Sequence, residues 1–94
     1  YAPPRAGRQG GINPIPHYPR IARKNGWQGR VLLAVNVGRN GRATSVRVRR
    51  SSGHAVLDRA AQSTVRRWRF KPARRGAVTV AGMAIVPITF RLTR

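Results

Sequence analysis

The chain has 94 residues and carries 20 Lys and Arg against a single acidic residue, which gives a formal net charge of +19. This length suits one small domain and excludes an enzyme with separate cofactor and substrate domains. Asp58 is the only carboxylate side chain, so paired-carboxylate catalysis and a Mg²⁺ or Ca²⁺ site built from side chains are excluded. There is no Cys, and His17 and His54 lack metal-ligand spacing. We therefore predict a non-enzymatic protein with no cofactor and no metal.

Residues 1–17 are rich in Pro and Gly and show no apolar periodicity, which predicts a flexible tail or linker ahead of a folded domain at 18–94. Because the chain begins at Tyr1, we expect it to be part of a longer protein. The sequence contains no run of about 18 apolar residues, the length of a membrane span. A membrane anchor is therefore expected outside these residues.

A short helix is predicted over 18–26, with Pro19 in its first turn, basic residues in its last turn and Gly26 at its end. Apolar residues then alternate from Val31 to Val37, which predicts a β-strand.

Asn40-Gly41 predicts a two-residue type I′ turn and hence a β-hairpin. This turn would place apolar residues of the two strands opposite each other, with polar residues on the other face. The expected pairs are Val35 with Val46 and Leu33 with Val48, and Ser45, Arg47 and Arg49 are expected on the polar face.

A second helix is predicted from His54 to Arg69, preceded by capping residues at Ser51-Ser52-Gly53. Its apolar seam is Leu57, Ala61, Thr64, Val65 and Trp68. This spacing favours a core position for Trp68. Asp58 lies in the first turns, where it complements the helix dipole and is expected to have a structural role among the many cations. Pro72 is expected to end the helix.

Residues 73–76 are expected to form a basic loop, followed by one long strand over 78–92 with its apolar residues at even positions. Pro87 cannot donate a ladder hydrogen bond, so this strand is placed at a sheet edge. The resulting prediction is an α+β fold of order α-β-β-α-β. Its three-stranded antiparallel sheet has the order second, first, third, with both helices on one face and the last strand at an open edge.

These features resemble the C-terminal domain of the TonB family of periplasmic energy transducers. The resemblance covers roughly Pro16 to Leu92, and its motifs are specific in their order and spacing. The motifs are Pro16-His17-Tyr18-Pro19, Gly29-Arg30-Val31, Asn40-Gly41-Arg42, Ser51-Ser52-Gly53, Leu57-Asp58, Trp68-Arg69-Phe70-Lys71-Pro72-Ala73 and Val86-Pro87-Ile88-Thr89-Phe90.

The resemblance implies a periplasmic domain of a protein anchored in the inner membrane by an N-terminal segment outside this chain. Its expected partners are TonB-dependent outer-membrane transporters, through their TonB box and plug, and an inner-membrane motor complex of the ExbB/ExbD type. The domain would bind the box by β-strand addition and transmit force from the proton gradient for uptake of siderophores, haem or cobalamin. Whether it serves many transporters or one is left open.

The resemblance also implies two groups of partner-binding residues. One is the edge strand: Ala84, Ile85, Val86, Pro87, Ile88, Thr89, Phe90, Arg91 and Leu92. The other is the tyrosine-proline region: Ile15, Pro16, His17, Tyr18 and Pro19. This region departs from the family at Ile15 and His17, where Gln residues are familiar.

Two other interpretations of the charge remain. A nucleic-acid-binding module would bind phosphates strongly, but the cations scatter over the predicted elements and no aromatic pair forms a stacking platform, so no nucleic acid is expected. Binding to the cell wall, including peptidoglycan, or to lipopolysaccharide is compatible with the adaptor role, because anionic glycans are attracted to the same charge.

Overall fold

A computed structural model of the chain describes residues 1–7 and 13–93. Its elements are β1 (Arg5–Ala6), α1 (Arg20–Asn25), β2 (Gly29–Val37), β3 (Ala43–Arg50), α2 (Ala55–Val65), β4 (Phe70–Lys71), β5 (Ala73–Arg75), β6 (Val78–Val80) and β7 (Gly82–Phe90). The main sheet is antiparallel in the order β3-β2-β7. This confirms the predicted α+β fold and the edge position of the last long strand.

The hydrophobic core lies between one face of this sheet and the two helices, because alternate residues of β2 and β7 point toward α1 and α2. Burial of each such aliphatic side chain contributes about 1.5 to 3 kcal/mol. The core residues of the sheet and helices include Ala22, Val31, Leu33, Val35, Val37, Val46, Leu57, Ala61, Val65, Val86, Ile88 and Phe90. Neither helix of the described residues is long and apolar enough to cross a membrane.

The β2–β3 hairpin has the predicted central register but a different turn. Val35 pairs with Val46 and Leu33 with Val48, as expected. A type I′ turn needs a positive φ at both central residues, but Gly41 has a φ of 82° and Asn40 does not have a positive φ, so the type I′ prediction is wrong. The Gly41 N–H donates to the Gly38 carbonyl at 2.9 Å, which forms a turn ahead of the left-handed Gly41. A register shift at Asn36/Val37 accommodates the longer loop.

Helix α2 ends at Val65, so the prediction that it extends to Arg69 is wrong. The N–H groups of Arg67 and Trp68 donate to carbonyls three residues back, at 3.0 Å each, which tightens the chain into a turn. The helix stops before Pro72 can act on it. The predicted capping role of Ser51 and Ser52 is also wrong, since the N-cap is His54 and no side chain caps the helix.

Residues 73–76 form part of a hairpin, β5–β6, rather than a loop, and Gly76 supplies the positive φ at its turn. The predicted strand over 78–92 is divided at Ala81 into β6 and β7, which pair with different partners.

Residues 1–7 of the predicted tail contact the domain in this structure. Strand β1 pairs with β4, and Ala2 exchanges two main-chain hydrogen bonds of 2.8 Å with Arg74. Residues 8–12 of the predicted tail lie outside the described residues. The division of the chain at residue 17 stays a prediction.

A candidate peptide-binding edge of the main sheet

The outer edge of β7 is the first part of the candidate site. Within residues 1–7 and 13–93, β2 is the only strand that pairs with β7. Main-chain groups alternate in an antiparallel pair, so every second residue directs its N–H and C=O away from the partner strand. Pro87 lies opposite Leu32 in a continuous nine-residue ladder. Pro87 has no N–H, so the β2–β7 ladder loses no hydrogen bond only if the main chain of Pro87 faces away from β2. The main-chain groups of the other odd-numbered residues of β7 then face outward as well.

Two hydrogen bonds elsewhere in the sheet support this alternation. The Gln62 amide donates to the Val46 carbonyl at 2.7 Å, so the main chain of Val46 faces away from β2. Its opposite residue, Val35, must then direct its own main-chain groups toward Ala84 of β7.

Just beyond β7, the N–H of Leu92 donates to the Gln28 side chain at 2.8 Å, next to the start of β2. Even-numbered residues therefore face β2. Residues 3–6 lie beside this edge and line a groove of about 340 Å³ with residues 83–87. Within the described residues no main-chain hydrogen bond joins them to β7, so the edge offers N–H donors at Met83, Ile85 and Thr89 and carbonyl acceptors at these three residues and Pro87.

The same odd-numbered residues expose their side chains on the face of the sheet opposite the helices. Met83 is 50% exposed and Ile85 is 39% exposed. Their cross-strand neighbours on β2 are Asn36 and Ala34. A strand added to β7 would extend this surface, so side chains at alternate positions of the partner would lie beside Met83 and Ile85.

The second part of the site is a groove of about 520 Å³ between residues 13–16 and the β7 edge, with Trp68 between them. We call it the Trp68 groove; β7 contributes residues 87–89 to it. The Trp68 indole N–H donates to the Pro14 carbonyl at 2.6 Å. Asn13 donates to the Arg69 carbonyl and accepts from the Arg69 N–H, at 2.9 and 2.8 Å. Residues 13–16 are thus held beside the edge strand by side-chain hydrogen bonds.

The structure brings together only some of the residues that the sequence singled out. Ile15, 88% exposed, and Pro16 line the Trp68 groove with residues 87–89. His17 is exposed and is not part of the groove lining. Pro19 is the N-cap of α1, and Arg91 and Leu92 lie beyond the end of β7.

Tyr18 is a packing residue in this structure. Its ring meets Phe90 edge to face, with centroids 5.3 Å apart, and its hydroxyl donates to the Trp27 carbonyl. Four of the nine predicted edge residues also face inward: Ala84, Val86, Ile88 and Phe90 are buried under the helices. Their main-chain groups bond β2, so a partner strand would meet the odd-numbered residues.

Trp68 and Met83 are site residues that the sequence interpretation missed. Trp68 continues the helical spacing of the α2 seam, and this pattern placed it in the core. Because α2 ends three residues earlier, Trp68 packs at the rim of the core and its indole N–H reaches Pro14. The sequence did contain a signal for Met83. Apolar residues occupy the even positions of this edge strand, and Met83 is a large apolar residue at an odd position.

Asp58 lies outside the site and holds the loop before α2. Its carboxylate accepts hydrogen bonds from the Ser51 hydroxyl, from the Ser52 N–H at 2.9 Å and from the Ser52 hydroxyl at 2.7 Å. Burial opposes ionisation, but these hydrogen bonds and nearby His54 outweigh it and hold the pKa of Asp58 below its ordinary value. The role is structural, as predicted, although its hydrogen-bond partners are Ser residues rather than cations.

Solved structures include one with the same arrangement of elements. The solution NMR structure of the TonB C-terminal domain of Pseudomonas aeruginosa matches with a TM-score of 0.75 and 27% sequence identity. The match covers 97% of this chain and 88% of that one.

Sequence relatives point the same way. Protein tonB2 of Pseudomonas aeruginosa is 46% identical over 80 residues, which cover 85% of this chain and 30% of the relative. Protein TonB of Xanthomonas campestris pv. campestris is 42% identical over 81 residues, covering 86% of this chain and 36% of the relative. The chain thus spans about a third of the length of these relatives. The model of the Gram-negative bacterial TonB protein C-terminal family matches residues 14–92, and the chain belongs to this family.

Proposed function

We propose that this domain binds an extended segment of an outer-membrane transporter by β-strand addition along the outer edge of β7. The observation that carries the proposal is the outer main-chain edge of β7, which pairs with no second strand in the described residues and lies beside the Trp68 groove. A partner strand that reaches residues 83–87 would have to displace residues 3–6 from their place beside this edge. Strand addition satisfies the main-chain groups of an exposed edge, and contacts to alternate side chains provide selectivity.

The register of the added strand follows from Pro87. Residues 83, 85 and 89 offer both N–H and C=O groups, whereas Pro87 offers only its carbonyl. Each hydrogen bond contributes a net of about 0.5 to 1.5 kcal/mol, so the ladder supplies several kcal/mol before the partner's loss of conformational entropy. This strength suits a grip that forms and releases repeatedly.

Residues 13–16 extend the proposed site beyond the ladder. Ile15 and Trp68 line the groove at the place where side chains of the added strand would project beyond Thr89. We propose that these apolar surfaces, rather than Tyr18, which packs on Phe90, make the side-chain contacts of the tyrosine-proline region.

In the whole protein, the domain would act in the periplasm as an adaptor between the transporter and an inner-membrane motor complex. The chain spans about a third of the length of its relatives, and in this proposal anchoring and contact with the motor complex are assigned to other segments of the whole protein. The proposed activity is transmission of force to the transporter during uptake.

A peptide titration followed by amide NMR tests strand addition. A peptide from the N-terminal region of a transporter should shift the amides of Met83, Ile85 and Thr89 and those of residues 13–18. Ile85→Pro removes one outward N–H and should weaken binding about tenfold, since one hydrogen bond and the local register are lost. Ile85→Ala keeps the N–H and should weaken binding less. Shifts confined to α2 or to the outer edge of β3 would refute the proposal.

A further inference from the structure

A second cleft, of about 1080 Å³, lies between the N-terminal segment and strands β4 and β5. It shares no lining residue with the Trp68 groove. Four cationic side chains line it, and we call it the basic cleft. They are Arg5, Arg69, Lys71 and Arg74. Its volume is slightly above the range of about 300 to 1000 Å³ that is usual for ligand-binding pockets.

The fold places like charges together in the basic cleft. Arg5 lies directly opposite Lys71 in the β1–β4 pair, and like charges at such positions destabilise a sheet. The two hydrogen bonds between Ala2 and Arg74 bring a further cation to the same cleft. Asp58, the only carboxylate side chain of the sequence, is bound to Ser51 and Ser52 and does not line the cleft. A bound anion would offset this repulsion and hold the N-terminal segment against β4.

We propose that the basic cleft binds an acidic peptide segment of a partner protein. Guanidinium groups bind carboxylates with paired, charge-assisted hydrogen bonds, and three of the four cations are Arg. The remaining lining is largely apolar, with prolines at positions 3, 4 and 72. Cationic and apolar groups together suit a peptide in which Asp or Glu residues alternate with aliphatic ones.

The lining is less suited to other polyanions. A glycan presents many hydroxyl groups, but the polar uncharged side chains of the cleft are only those of Asn40 and Thr79. The ring of Phe70 is 4% exposed, so it offers little aromatic surface for a sugar or a nucleobase. A flat anionic bilayer would not follow the concave wall formed by residues 2–5 and β4.

This inference goes beyond strand addition and can fail separately from it. Binding in the basic cleft uses side chains of β1, β4 and β5, and strand addition uses the main chain of β7. Ile85 lies beside residues 3–6, and residues 3–5 also line the basic cleft, so the separating variant is Thr89→Pro. Thr89 lines neither the basic cleft nor the groove beside residues 3–6, and Thr89→Pro should leave the affinity for an acidic peptide unchanged while it weakens strand addition.

The experiment is a titration with hexaglutamate, with hexaglutamine as the neutral control, followed by fluorescence anisotropy and amide NMR. Hexaglutamate should shift the amides of Arg5, Lys71 and Arg74, and its affinity should fall as salt rises from about 0.05 to about 0.2 M. Hexaglutamine should not bind.

The decisive comparison uses two double variants with the same net charge. Arg5→Gln/Lys71→Gln removes two cations of the cleft and should weaken hexaglutamate binding about tenfold or more. Arg47→Gln/Arg49→Gln removes two exposed cations of β3 and should weaken it less than about twofold. All four side chains are exposed, and thermal unfolding checks that both variants are folded.

Equal weakening by the two double variants would overturn the proposal, because it would show attraction to the overall charge rather than to a site. Tighter binding of inorganic polyphosphate or of a sulfated glycan, with shifts of the same amides, would also overturn it and assign the cleft to another polyanion. Loss of hexaglutamate binding in Thr89→Pro would contradict the separation of the two sites.

Discussion

The two outer strands of the main sheet expose different chemistry. Strand β3 ends in exposed cations, with Arg47, Arg49 and Arg50 along its length, and its Val46 carbonyl is bound by Gln62. Strand β7 exposes Met83 and Ile85 and contains no charged residue.

Charged side chains on an edge strand oppose pairing with a second chain, and apolar ones permit it. The sheet is therefore protected on its β3 side, whereas β7 forms no second main-chain pair within the described residues and has residues 3–6 beside it. Pro87 limits the β7 side by removing one donor without closing it. An edge strand can therefore limit the registers in which a partner strand pairs with it and still accept such a strand.

The largest expected effect comes from moving the proline substitution from an outward to an inward residue of β7. Ile88→Pro removes a buried side chain and a hydrogen bond to β2, so the free energy of unfolding should fall by about 3 to 5 kcal/mol. Ile85→Pro should cost much less, because its N–H faces away from β2. Urea unfolding of the two variants measures the difference.

Similar losses in both proline variants would contradict the assigned alternation of β7. A larger loss in Ile85→Pro than in Ile88→Pro would reverse it and would place the free donors at even-numbered residues.

A smaller effect should follow from opening the β3 edge. Gln62→Leu removes the donor to the Val46 carbonyl and should lower the free energy of unfolding by about 1 kcal/mol. Ser63→Ala, at the exposed neighbouring residue of α2, is the matched control and should have little effect. Binding of a transporter peptide should remain on β7 in both variants. Shifts of β3 amides in Gln62→Leu alone would show that this hydrogen bond closes the β3 edge.

The smallest effect concerns the loop that joins β3 to α2. The folded state holds the pKa of Asp58 below its ordinary value, so the stabilisation is present above the unfolded pKa, about 3.9, and is lost as the pH falls through the lower folded value. Asp58→Asn should reduce this loss of stability at acidic pH, because the sequence has no other acidic side chain. Thermal unfolding measured between about pH 2 and pH 5 tests it. If Asp58→Asn lost the same stability at acidic pH, the loss would be assigned to the terminal carboxyl group instead of Asp58.

Alternation of apolar residues was sufficient to predict β2, β3, their central register and the position of β7. These features depend on which side chains are buried, and the alternation of apolar and polar residues along the chain indicates which ones those are. The turn at Gly38–Gly41 was not predictable in the same way, because Asn40-Gly41 is compatible with two turn types. The Gly41 position is fixed by Phe70, whose N–H donates to the Gly41 carbonyl at 2.9 Å.

The same limit applies to the candidate site. Resemblance identified the edge strand and residues 15–19, but it did not separate outward from inward residues or detect the contact of Trp68 with Pro14. That contact joins residues 54 positions apart in sequence. It forms where the sequence predicted the last turn of α2, which ends at Val65 instead. Long-range hydrogen bonds of this kind leave no periodic signal. The basic cleft escaped prediction for the same reason, since β1 and β4 are distant in sequence.

The packing of Tyr18 on Phe90 has a mechanical consequence for the proposed transmission of force. Tyr18 lies where the N-terminal segment approaches α1, and Phe90 is the last residue of β7. Tension that enters from the N-terminal side would first load the hydrogen bonds of residues 1–7 and 13–14 with the domain. If these bonds opened, the Tyr18–Phe90 contact would carry the load next. A load on a strand added to β7 would then reach that contact through Phe90, a core residue at the end of the same strand.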